Sequence, residues 1–258
     1  MKRKRKPGRY DPVIAEAERV LAMAAALPPP QIAWTSRAPA DQGLAREPGA
    51  EWVVGVAPWL VDDGAYGMLY AGRDIDFALR WEEIALEPAD VDRPRAFALG
   101  EDVYYVEATV VHVGEDACVL DFGLLAYSTD APAWIREGMT VRGDVAVAID
   151  AGTYRDQLFD ELEPVAMIYP WRLDRIVLEV AARTPAPAHL RELSRSPELM
   201  TNDPETRTLR EVAVANPDKD WPPGQMARYY LHCTLQSRIP RMPDARDQHP
   251  MFDESPDS

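Results

Sequence analysis

Four histidines, two cysteines and 43 carboxylates are the side chains of this 258-residue chain most suited to catalysis or metal binding, so their spacing decides what chemistry is open to it. His112, His189, His232 and His249 lie far apart, and Cys118 and Cys233 belong to no Cys-x-x-Cys or His-Glu-x-x-His pattern. A zinc site needs three or four ligands brought together, and this spacing supplies no such set. Asp74 with Asp76, and Asp218 with Asp220, are carboxylate pairs of the kind that hold a divalent ion, but the calcium-loop spacing and its closing glutamate are absent. Acids drawn from different loops, Asp74 and Asp76 among them, are what remains of a divalent-metal enzyme reading. Gly64, Gly67 and Gly72 are not followed by the Gly-Lys-Ser/Thr of a phosphate loop, and Ser128 stands in no nucleophile elbow. The sequence therefore names no catalytic residue, no metal ligand and no cofactor, and an enzyme is the lesser expectation.

Binding chemistry is better represented. Paired acids recur at expected loop tips and strand ends: Asp62 with Asp63, Glu82 with Glu83, Glu101 with Asp102, Glu115 with Asp116, and Asp160 with Glu161. Trp59, Trp171 and Trp221 each adjoin a proline (Pro58, Pro170 and Pro222), which places them in turns, where an exposed tryptophan can anchor an interface. Trp59, Trp171, Trp221, Asp62, Asp63, Glu115 and Asp116 are the candidate binding residues. Their alternative role is structural, with the tryptophans plugging barrel ends and the acids simply solvated.

Charge narrows the partner. Lys2, Arg3, Lys4, Arg5, Lys6 and Arg9 precede every acid, and without them 22 basic residues face 43 acidic ones, leaving the remainder at −21. Such a body repels phosphate backbones and attracts basic proteins. The leading expectation is a non-catalytic acidic protein that binds a basic protein partner, as neutralisers and assembly adaptors do. A second expectation is a single-strand nucleic-acid binder, with Tyr104, Tyr105 or Trp81 as stacking platforms and the basic N-terminus as tether. Acids within residues 11–19 argue against a signal peptide, no segment has the apolar length of a membrane span, and two cysteines form no disulfide framework. A cytoplasmic protein with reduced, buried thiols is expected, without a membrane partner.

The elements that must position these residues are mostly strands. Alternation over Tyr104–Val110, Cys118–Leu124 and Met139–Ile149 marks three strands, the first two joined by a tight hairpin at Gly114-Glu115-Asp116. Asp130 to Trp134 is expected as a single helical turn ended by Gly138. Earlier strands are expected at Trp52–Val56 and Ile75–Trp81, and later ones at Val165–Tyr169, Ile176–Val180, Thr208–Ala215 and Met226–Gln236, the last two as a pair. Short helices are expected over 154–162 and 189–194. The order strand, hairpin, strand, short helix, strand resembles part of an OB-type barrel at the level of fold alone. The fold class is mainly β (α+β), an antiparallel barrel or sandwich, OB-like in part, with an N-terminal helix and a few short helices. Residues 1–10 are expected as a basic disordered start, 11–27 as a helix stopped by three prolines, 28–50 as an extended linker, 51–236 as a β-rich domain, and 237–258 as a disordered, proline-rich acidic tail. The β-rich domain would divide, if at all, into 51–163 and 164–236.

Overall fold

The computed structural model describes residues 48–64, 66–154, 158, 165–186, 200–220 and 225–244. The basic start, the 11–27 helix, all but the end of the 28–50 linker, Trp221, the 189–194 helix and most of the 154–162 helix lie outside them. In chain order the elements are β1 (Glu51–Val56), α1 (Pro58–Asp62), β2 (Asp74–Phe77), β3 (Leu79–Pro88), β4 (Arg95–Gly100), β5 (Val103–Val113), β6 (Cys118–Asp121), β7 (Leu125–Ser128), β8 (Thr140–Ile149), β9 (Tyr169–Pro185), β10 (Met200–Asn202), β11 (Thr208–Val212), α2 (Pro217–Asp220) and β12 (Gln225–Leu235). Two compact units divide them, with boundaries at Val180/Ala181 and Arg207/Thr208.

In the larger unit β3, β7, β6, β5 and β8 close into a five-strand barrel. All neighbours are antiparallel except β3 and β7, which pair in parallel through Leu79–Ala126 and Arg80–Tyr127. That ring is compatible with an OB-type barrel, and its closure leaves no edge within it. The expected alternation is what fills it: Trp81, Tyr104, Val106, Ala108, Val110, Leu120, Val141, Val145 and Val147 are all buried in one core. The hairpin forms where expected, closed by Gly114 N–H donating to the Ala117 carbonyl at 2.8 Å. At a bulge between Glu83 and Ala85 the backbone of β3 presses on β8, where any Cβ on Gly143 (φ +140°) would overlap the Ala85 carbonyl.

Several expectations are corrected here. Ile75–Trp81 is two strands, because Phe77, Ala78 and Leu79 are all buried and the alternation changes phase between them. Residues 95–100 are strand β4 on the outer edge of β5, not loop. No helical turn follows Asp130; two tight turns, Ile135 N–H to Pro132 O and Met139 N–H to Arg136 O, carry the chain into β8. The strands expected at 165–169 and 176–180 are one long β9, whose inward face shifts from Trp171 and Leu173 to Ile176, Leu178 and Val180 across the exposed pair Asp174 and Arg175. β11 pairs with β9 rather than with β12, which instead joins β1 to β9. The chain is still tied down beyond 237, since Arg241 bridges Ile168 through both backbone bonds and ion-pairs with Asp76 at 2.8 Å. Along β9 the short strands β2 and β11 occupy successive stretches of one edge.

β1 meets the barrel at only one bridge, Gly55 opposite Ala148 on β8. Beside it, where the two strands part, Tyr104 stands in for the missing strand. Its hydroxyl donates to the Val53 carbonyl at 3.0 Å and accepts from the Val53 N–H at 2.7 Å, and its ring lies 4.9 Å from that of Trp52. The smaller unit is described over 181–186 and 200–207, where β10 pairs antiparallel with Arg183–Pro185 and Asp203 caps a 3-10 turn through Glu205 N–H. No helix among the described residues is long and apolar enough to cross a membrane.

Replacing Tyr104 with Phe removes both bonds to the part-buried Val53 peptide and is expected to cost about 1–3 kcal/mol. Tyr105→Phe, one residue along and on the outer face, is expected to change stability by less than about 0.5 kcal/mol. Urea unfolding of both variants checks the contrast, and equal losses would contradict the role given to the Tyr104 hydroxyl.

Candidate functional site

Hydrogen bonds bring three acidic loops to the same end of the barrel. The β3–β4 loop is fixed there by Ala89 N–H donating to the Thr140 carbonyl, and by Thr140 Oγ1 donating back to the Ala89 carbonyl at 2.5 Å. The β7–β8 connection is fixed by Val110 N–H to Met139 O and by Gly138 N–H to Val110 O. The β5–β6 hairpin continues directly from Val110. Asp90 and Asp92 from the first loop, Asp130 and Glu137 from the second, and Glu115 and Asp116 from the third are all exposed on this rim. The basic residues in the same loops are Arg93 and Arg136, and Arg136 spends one guanidinium nitrogen on the carbonyls of Ala133 and Ile135 at 2.6 and 2.7 Å. Between the hairpin and the β7–β8 connection lies a cavity of about 180 Å³, bordered by Glu115, Asp116, Thr129, Pro132 and Arg136. Val113 at its border is exposed, and so are Val111 and Trp134 in the same two segments. Cys118 lines its floor, where burial pushes the thiol up to about 12, so it stays protonated and unreactive.

The candidate residues from the sequence separate on this structure. Glu115 and Asp116 are on the rim. Trp59, 56% exposed, lies on α1 with Asp62 and Asp63 just behind it, and α1 packs against α2 and β12. Trp171 is not a surface anchor: it is fully buried in β9, stacked 5.2 Å from Phe77 with its indole N–H on the Phe77 carbonyl, because the turn expected at Pro170 is strand. Trp221 lies outside the described residues. Asp74 and Asp76 face arginines, Arg172 at 3.5 Å and Arg241 at 2.8 Å, and are held as ion pairs. Trp81 and Tyr104 are buried to 1% exposure or less and present no face for a base to stack on. The sequence missed Trp134, whose place on the rim depends on turns that carry no periodicity.

A second polar surface lies on the outer face of β1, β12, β9 and β11, an open groove of about 460 Å³. Its bed is Tyr230, whose hydroxyl is bonded to the buried carboxylate of Glu179, with Val53 and Val177 beside it. Behind Tyr230, the Arg228 guanidinium covers its ring and pairs with buried Asp102. Gly55 lies beneath that pair, and a Cβ there would overlap both groups. Desolvation raises the Asp102 carboxyl against the lowering pull of Arg228. At the far side of the groove Arg175 Nη2 lies 3.0 and 3.2 Å from the two ring nitrogens of His232. Burial, and then the Arg175 charge, hold this imidazole below its ordinary 6.5, opposed by Glu51, Glu211 and Asp174.

Comparison with protein families, with curated proteins and with solved structures finds no match for this chain. Among the described residues, no three His, Cys, Asp or Glu side chains gather as metal ligands would.

The lowered titration of His232 has a sign. The unfolded chain takes up a proton as the pH falls through 6.5, while the folded chain resists it, so the stability His232 contributes at neutral pH is lost progressively below 6.5. His232→Gln is expected to flatten the decline in unfolding free energy between about pH 7 and 5. Parallel declines in denaturant titrations of the two proteins would contradict this.

Proposed function

We propose that this protein is a non-catalytic binding protein whose acidic barrel rim docks a basic protein, in the manner of a neutraliser or assembly adaptor. The observation that carries the reading is the convergence of Asp90, Asp92, Glu115, Asp116, Asp130 and Glu137 from three separate loops on one end of the barrel, where the β7–β8 connection also exposes Trp134. Acids concentrated on one face steer a cationic partner and raise its association rate, while a partly exposed indole on the same connection supplies the apolar contact that slows dissociation. Elsewhere on the larger unit the arginines are largely spent on carboxylates, as in Arg95–Glu107, Arg142–Glu87, Arg172–Asp74, Arg210–Asp220, Arg228–Asp102 and Arg241–Asp76. On the rim, six exposed acids stand against the two arginines of the same loops, Arg93 and Arg136. This reading places the protein in the cytoplasm, with Cys118 and Cys233 as buried free thiols.

The intact protein, exposed to its native lysate with and without nuclease, is expected to retain a basic protein that survives nuclease and is released by about 0.5 M salt, where the Debye length shrinks to a few ångströms. A Glu115→Lys, Asp116→Lys double variant is expected to weaken that partner by at least about tenfold, and Trp134→Ala by a similar factor. Retention unchanged by both variants, or loss of every partner with nuclease, would overturn the reading.

A further inference from the structure

We propose that the groove over β1, β12, β9 and β11 is a binding site for a small amphoteric ligand, a free amino acid or short peptide with an apolar side chain. The inference is independent of the acidic rim, which shares no residue with this groove. Arg175 carries it. Its Nη2 approaches both nitrogens of one imidazole almost equally, at 3.0 and 3.2 Å, which a guanidinium aligned with a single ring lone pair cannot do. Nη2 therefore sits over the His232 ring between its two nitrogens, which positions the guanidinium and leaves Nε and Nη1 as the donors for a carboxylate. His232 suits that duty because its surroundings favour the uncharged ring, so it adds no second positive charge beside Arg175.

Opposite charge lies within the same groove. Glu211 projects from β11 opposite Val177, one strand over from Arg175, and Glu101 borders the groove at the start of β5. A simple anion would be drawn to Arg175 and repelled by these acids, whereas a ligand carrying both a carboxylate and an ammonium satisfies both signs. Between the charges lie Val53, Val177, the ring of Tyr230 and Leu209, the last 48% exposed. An exposed leucine over an apolar bed flanked by both charges matches an aliphatic side chain between an amino and a carboxyl group. The volume, about 460 Å³, is ample for one amino acid or a dipeptide.

The test uses the full chain labelled with [13C]histidine, following the His232 ring resonance by NMR during titration with L-leucine, N-acetyl-L-leucine and L-leucinamide. L-leucine is expected to shift that resonance saturably, and each analogue, lacking one charge, to bind at least about tenfold more weakly. Arg175→Gln and Glu211→Gln, both at exposed positions, are expected to weaken L-leucine by a similar factor while the remaining spectrum stays native. No saturable shift with L-leucine, either analogue binding as tightly as L-leucine, or undiminished binding by Arg175→Gln would each overturn the proposal. The analogue series needs no variant, so it decides the matter even where a substitution disturbs folding.

Discussion

The hydroxyl of Tyr104 on the Val53 peptide is the contact on which the larger unit depends. In a closed five-strand barrel most backbone groups pair within the ring, so a further strand joins only over a short stretch, as β4 does along the first half of β5. β1 can be added only where it runs beside β8, and the two meet at one bridge before they diverge. The Val53 peptide at that point is only partly open to water, and leaving it unpaired would cost more than an ordinary contact supplies. Tyr104 resolves this by reaching outward from the barrel core with one donor and one acceptor, the two functions a neighbouring strand would have provided. Its aromatic body meanwhile packs on Trp52, so one residue both closes the hydrogen-bond account of β1 and seals the apolar seam.

Everything on the outer face of β12, β9 and β11 follows from how β1 is seated. β12 pairs with β1 in full register from Glu51–Thr234 to Val56–Tyr229, and it presents His232 opposite Val53 and Tyr230 opposite Gly55. Gly55 is small because Asp102 and Arg228 occupy the space its side chain would need. The absence of that side chain gives the Arg228–Asp102 pair its seat behind the Tyr230 ring. The phase shift at Asp174 and Arg175 then turns Arg175 outward, toward His232, where unbroken alternation after Leu173 would have aimed it into the core. A groove with charges at its sides is thus produced by one glycine, one ion pair and one phase shift.

These same features mark the limit of what the sequence reveals. The barrel strands were legible because Tyr104 to Val110 and Met139 to Ile149 alternate without interruption, and each buried side chain follows from a period of two. Where alternation breaks, the reading fails in a consistent way. The consecutive apolar residues Phe77, Ala78 and Leu79 hide the joint between β2 and β3, and the paired polar residues Asp174 and Arg175 split β9 in two. A bulge and a loop have the same local signature, and only pairing partners distant in sequence distinguish them. Trp171 was misplaced for a related reason: Pro170 signals a turn locally, yet a proline is accommodated in this strand opposite Asp76. Glu115 and Asp116 were found because a hairpin tip is local, whereas their gathering with Asp90, Asp130 and Trp134 is set by which strands are neighbours in the barrel.

The two surfaces lie toward opposite ends of β5, with Glu101 just before its first residue and the Glu115–Asp116 hairpin just beyond its last. A strand rises about 3.3 Å per residue, so the span separating them is on the order of 40 Å. At physiological ionic strength the Debye length is about 8 Å, and fields between exposed charges that far apart are screened to nearly nothing. The acids of the rim therefore neither repel a carboxylate from Arg175 nor strengthen an ammonium at Glu211. Any influence of one site on the other must pass through the packed barrel, along β5 and through Tyr104, whose hydroxyl holds the same Val53 that lies in the bed of the groove. A barrel closed on itself resists the sliding that such transmission requires, because a shift of one strand would have to break pairing with both neighbours at once. The architecture accordingly favours independent filling of the two proposed sites, the rim tuned by salt and the groove by the shape and paired charges of its ligand.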